Sequence, residues 1–172
     1  VIYAYVVAVA ATTLTVLCNT ASGTETTLAS GSTITSPYYS KAETPTGHPI
    51  WFSWTPSYNG TGSMTFTSVS THLARYRIVN KNCEVMVIAR GTTGGSASNN
   101  LTVSKPINHL VITGGYYTGI NFCENGGAFE TGVSFIVVSS ATNPINCART
   151  AYGNYTLSVN TGLNVHITYP IA

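Results

Sequence analysis

Over most of the chain, apolar and polar residues alternate with a period of two, in short runs set off by turn residues. In HPIWFSWTP, Ile50, Phe52 and Trp54 share one face. In GSMTFTSVS, Met64 and Phe66 point one way and Thr65 and Thr67 the other. RYRIV and CEVMVIAR, divided by Asn80, Lys81 and Asn82, read as a hairpin. NNLTVS, NHLVITGG, YYTGINF, AFETGVSFIVVSS, GNYTLSVN and NVHITYPI complete the set, with Glu124–Gly127 and Thr142–Pro144 as turns. About nine to eleven short strands so spaced predict an all-β protein with a β-sandwich head, Ig-like or jelly-roll-like.

The opening run VIYAYVVAVAATTLTVL breaks this alternation. Val1, Tyr3, Tyr5, Val7 and Val9 fall on one parity and Ile2, Ala4, Val6 and Ala8 on the other, so both faces are apolar. Val, Ile, Thr and Tyr fill eleven of the first seventeen positions, which favours strand over helix. The run has no basic residue, unlike a signal peptide, and reads as the end left after one is removed. It is also short of the ~20 apolar residues that a membrane span needs. As one extended strand it would reach about 55 Å at ~3.3 Å per residue, further than a small sandwich is tall. It is therefore expected to act as a donor strand over residues 1–17, filling a groove in a neighbouring copy, with the sandwich head over 18–172. Val1, Ile2, Tyr3, Ala4, Tyr5, Val6, Val7, Ala8, Val9 and Leu14 are the expected polymer contacts.

Composition strengthens the all-β reading. Among 172 residues only 7% are charged, none is Asp or Gln, and 27 are Thr. The formal charge of +2 provides no basic patch for nucleic acid, and the cluster Arg75, Arg77, Lys81 reads as a solvated face. With five carboxylates, the chain has little ionised acid to lose at low pH. Cys18, Cys83, Cys123 and Cys147 lie far apart with no C-x-x-C pair. That spacing suits two disulfides of unknown pairing in an exported protein and leaves no metal site. Sequons at Asn59, Asn100 and Asn154 are expected to carry N-glycans, Asn59 in a turn and the other two on outward strand faces.

An apolar N-terminal strand ahead of a Thr/Ser/Asn/Tyr-rich, cysteine-bearing sandwich with sequons resembles the thread-type pilins of thermoacidophilic archaea. The resemblance covers the layout of the whole chain. It implies a homopolymer of identical subunits on the cell surface, linked head to tail by donor-strand complementation and adhering to surfaces or other cells. It implies no cofactor beyond covalent glycans. IWFSWTPSYNGTGSMTFTS with GNYTLSVN is also similar to jelly-roll domains attached to secreted peptidases. Their calcium-binding Asp pairs have no counterpart here.

The chain is read as a non-enzyme. His48, His72, His109 and His166 are scattered, and no nucleophile elbow, H-E-x-x-H pair or phosphate loop is present. The alternatives are a type IV pilin-like subunit with an N-terminal helix, or a secreted carbohydrate-binding module using Trp51, Trp54, Tyr116 and Tyr117. A virion or sheath protein is a third.

Overall fold

A computed structural model describes residues 2–20, 25–26, 31, 33–35, 51–149 and 153–171. The chain divides into two compact units, Val1–Trp54 and Thr55–Ala172. The described residues are all-β and contain no helix.

In the first unit, β1 (Ile2–Val9), β2 (Leu14–Thr20) and β3 (Glu25–Thr26) form an antiparallel sheet in that order. The opening stretch is strand, but it is not the single long strand expected from its length. It folds back on itself, pairing Ile2 with Thr20 through Val9 with Leu14. The reversal sits at Ala10–Thr13, where Ala10 N–H reaches Thr13 O at 2.8 Å. Two consecutive alanines interrupt the β-branched run there, and folding back pairs main-chain groups that a lone strand leaves open. A short strand β4 (Phe52–Ser53) ends the unit.

The second unit is one curled antiparallel sheet, ordered β6-β7-β12-β9-β10-β11-β8-β5. Its strands are β5 (Tyr58–Gly60), β6 (Met64–Val79), β7 (Asn82–Gly95), β8 (Asn100–Val103), β9 (Tyr116–Asn125), β10 (Ala128–Val137), β11 (Ile145–Ala148) and β12 (Asn160–Pro170). Two hairpins have two-residue turns with positive φ throughout, Asn80-Lys81 and Gly126-Gly127, whose twist matches the strands they join. The sequence runs GSMTFTSVS and RYRIV are one 16-residue strand, β6. Irregular register between Thr67 and Ser70, with Ser68 at φ 51°, bends it. The curl brings Tyr58 edge-on to Phe66 at 6.1 Å, so the two ends of the sheet face across a common core, a sandwich-like arrangement. Val85, Val87, Leu101, Val103, Ile145, Leu163, Val165 and Ile167 fill that core with Tyr76, Tyr155 and Tyr169. Gly132 is forced by packing, because a Cβ there would run into the Ala148 carbonyl of β11.

Two expected strands do not form. Only His109 of NHLVITGG pairs, in an isolated bridge to Ile171, before Gly114 and Gly115 turn the chain at positive φ. In NYTLSVN, Tyr155 N–H bonds the loop carbonyl of Ser98 and Ser158 N–H the Thr93 carbonyl of β7, single bonds rather than a ladder. The inward position of Tyr155 is nonetheless as the alternation implied.

Several of the scarce charges are paired. Arg77 and His166 both reach Glu84, at 2.5 and 2.8 Å, Arg90 reaches Glu124, and Arg149 grips Glu130 with two nitrogens. Burial pushes the Glu84 carboxyl up, but the bonds from Arg77 and His166 outweigh it and leave it below the usual range. Arg149 holds Glu130 below that range against a smaller burial effect. Folded carboxyls titrating below their unfolded values add stability that is fully present above the unfolded range, ~4.3. That stability is lost as pH falls through the lowered values. Thermal unfolding followed between pH 7 and pH 2 should show a falling midpoint below about pH 4.5, and Glu130→Gln should flatten part of that fall. An identical slope in Glu130→Gln would contradict this.

Candidate association surfaces and modification sites

The β9–β10 hairpin is amphipathic in the unusual sense. Its inward positions include Asn121, Asn125 and Ser134, all buried, while Ile120, Phe122, Phe129 and Val133 lie on the outer face. These outer side chains are 55%, 54%, 78% and 38% exposed. Ile120 is directly opposite Val133, and Phe122 is opposite Thr131. At one end Tyr116 meets Phe135 edge-on at 5.6 Å, extending the apolar strip. On the β12 side, exposed Asn164 and His166 stand opposite Phe122 and Ile120, so the strip has a polar border.

The inward polar groups are held by hydrogen bonds. Ser134 Oγ donates to the Ile120 carbonyl at 3.1 Å, and Asn121 Nδ2 to the Ala148 carbonyl at 3.4 Å. Asn125 accepts from Thr156 N–H and donates to Thr156 Oγ1, each at 3.0 Å, fastening the segment that carries Asn154. A register slip by one residue would bury the phenylalanines and break these bonds together.

A second apolar row lies on the N-terminal hairpin, where Ile2, Ala4, Val6 and Val9 are exposed, Val6 by 55% and Val9 by 73%. Of the other expected contacts, Val1 lies outside the described residues, as do the side chains of Tyr3, Tyr5, Val7, Ala8 and Leu14. The sequence pointed to the hairpin row but missed the β9–β10 face. The alternation of Ile120 and Phe122 with Asn121 and Cys123 was visible, yet it reads by default with the apolar residues inside.

The sequons differ in setting. Asn59 on β5 and Asn154 before the 157–158 turn are exposed, whereas Asn100 on β8 is half-buried with its Oδ1 enclosed. All four cysteines are buried free thiols, so the expected disulfides are not formed in this structure. Within the sheet, β12 separates Cys83 from Cys123 and β10 separates Cys123 from Cys147. Strands two apart are roughly 9–10 Å distant, beyond the ~4.4–6.8 Å between Cα atoms that a disulfide bridges. Burial pushes the Cys83 thiol up to about 12 and raises Cys147 further. Tyr155 hydroxyl donates to the Cys147 carbonyl at 3.0 Å.

Near β5, Lys105 Nζ bonds His109 Nδ1 at 2.8 Å and the Ala141 carbonyl at 3.0 Å, and also contacts the Asn143 carbonyl. Burial lowers this ammonium to about 8. His109 is enclosed between Tyr117 and Tyr169, while His72 and His166 are exposed on β6 and β12 and His48 lies outside the described residues. Trp54 is buried, Trp51 and Tyr117 are half-buried, and Tyr116 is exposed. No group of three metal-ligating side chains occurs among the described residues, and no helix there is long and apolar enough to cross a membrane.

No protein-family model matches the chain, and neither a curated protein nor a solved structure matches it.

Removing the Asn125 side chain should leave Thr156 N–H without its acceptor. Asn125→Ala is expected to lose about 1–3 kcal/mol of unfolding free energy in a urea titration. A change inside ~0.5 kcal/mol would mean that this clasp contributes nothing.

Proposed function

We propose that the chain is the structural subunit of an extracellular, cell-surface filament, a homopolymer in which the N-terminal segment of one copy docks on the next, with adhesion to surfaces or other cells as its purpose. The observation that carries this reading is the outer face of β9–β10. Ile120, Phe122, Phe129 and Val133 form a polar-bordered apolar strip while their strands keep asparagine and serine inside. Contiguous exposed apolar area of this kind marks association surfaces. The hairpin row of Ile2, Val6 and Val9 supplies a second uncharged surface in a stretch with no charge before Glu25. Strand over residues 2–9 and 14–20 favours this reading over a type IV pilin-like helix.

Magnitudes set the character of the link. These seven side chains, exposed by between 38% and 78%, offer on the order of 5–10 kcal/mol when covered. Association itself costs ~4–15 kcal/mol. Apolar contact alone thus gives a weak pair, and a persistent filament also needs main-chain pairing along the docked strand, which fixes register as well.

A charge on either surface should abolish assembly without unfolding the subunit. Val6→Asp and Phe122→Asp are each expected to shift unfolding by no more than ~0.5 kcal/mol, yet to sediment as monomers under conditions where the unaltered chain polymerises. Normal filaments from both variants in negative-stain micrographs would overturn the reading.

A further inference from the structure

A polar groove of about 470 Å³ runs along the β5–β8 edge of the second unit. Tyr58, Asn59, Thr102, Lys105, Asn108 and Thr142 are among its lining residues. Its floor is tied together, since Thr102 Oγ1 donates to the Asn59 carbonyl at 3.2 Å and Ser57 N–H donates to Ser104 Oγ at 2.8 Å. One wall is braced by Lys105, which reaches across to the 141–143 turn and to His109. The lining thus presents hydroxyls, amides, one phenol and one ammonium, and no carboxylate.

Asn59 is both part of this lining and the acceptor of the N-G-T sequon. Its Oδ1 accepts from Gly60 N–H at 2.9 Å, which fixes the side-chain amide and leaves Nδ2 for attachment at the exposed rim. We propose that the groove seats the first sugars of the glycan carried on Asn59. The proposal rests on the extracellular reading above. In forming the link, Asn59 Nδ2 gains a bond to sugar C1 as the C1–O bond of a glycosyl phosphate donor breaks. The phosphate keeps the electron pair, and the amide proton leaves to solvent. The bound pyranose then exchanges hydrogen bonds with Asn108, Thr142 and the Ser104 region, with Tyr58 offering an apolar edge. Asn154, on an exposed segment, is the internal comparison for a glycan carried without such a groove.

The test uses native filament protein. Peptide mapping first establishes the masses at Asn59 and Asn154, and timed digestion of the folded protein with a glycan-releasing amidase follows. The Asn59 glycan should be released roughly tenfold more slowly than the Asn154 glycan, as one or two protecting hydrogen bonds give. After denaturation the two rates should match. Thr142→Trp, which fills the groove, should bring the Asn59 rate to that of Asn154 with an unchanged thermal midpoint. Should Thr142→Trp not fold, Asn108→Ala serves, with a smaller expected gain in rate. Equal release from the folded unaltered protein overturns the proposal. A bare Asn59 beside an occupied Asn154 also overturns it and leaves the filament reading intact. Bare asparagines at both sites overturn it too, while the filament reading is judged separately by assembly of the Val6 and Phe122 variants.

Discussion

The second unit is organised around one constraint, the register of the β9–β10 hairpin. Gly126-Gly127 sets it, and ten residue pairs from Ala128–Asn125 to Val137–Tyr116 carry it along the strands. In that register Asn121, Asn125 and Ser134 point into the core, where each must find a partner at the Ala148, Thr156 and Ile120 positions. The alternative register, one residue away, would hide two phenylalanines from water. A fold that forgoes this burial, worth about 1.5–3 kcal/mol per side chain, retains an apolar strip on its surface. Such a strip is a liability for a lone subunit and an asset for one that is covered in its assembly.

Charge is used sparingly but not idly. At least three of the five carboxylates are paired, and the pairs tie strands together: Arg77 and His166 flank Glu84 across the adjacent strands β6, β7 and β12, and Arg90 with Glu124 joins β7 to β9 over Gly162 of the intervening β12. Low charge content suggested indifference to acid. The pairing instead ties a share of stability to ionised Glu84 and Glu130.

The all-β class was legible because β-branched and aromatic residues dominate and turn residues are punctual. Gly126-Gly127 is a turn whose chemistry leaves few alternatives, while Asn80-Lys81 has a favoured residue only at its first position and holds Lys81 at a φ of 60°. Leu101 and Val103, inward on β8, followed the ordinary rule of alternation. The opening hairpin was not legible, since two apolar faces specify neither register nor reversal. NHLVITGG is apolar enough for a strand, yet beyond the His109 bridge it has no ladder partner, a property of tertiary context alone. The same is true of the cysteines, whose spacing in sequence says nothing about intervening strands. The β9–β10 surface was hidden by the assumption that apolar means inside, and that assumption fails on this hairpin, where Ile120, Phe122, Phe129 and Val133 are exposed.

Photo-crosslinking in the native polymer tests the central claim most directly. With a photoreactive side chain in place of Phe122 and a mixture of light and heavy isotope-labelled subunits, crosslinked peptides report both partner and chain of origin. Crosslinks from position 122 to residues 2–20 of a differently labelled copy are the predicted result. Crosslinks confined to the same chain, or none in intact filaments, would contradict it.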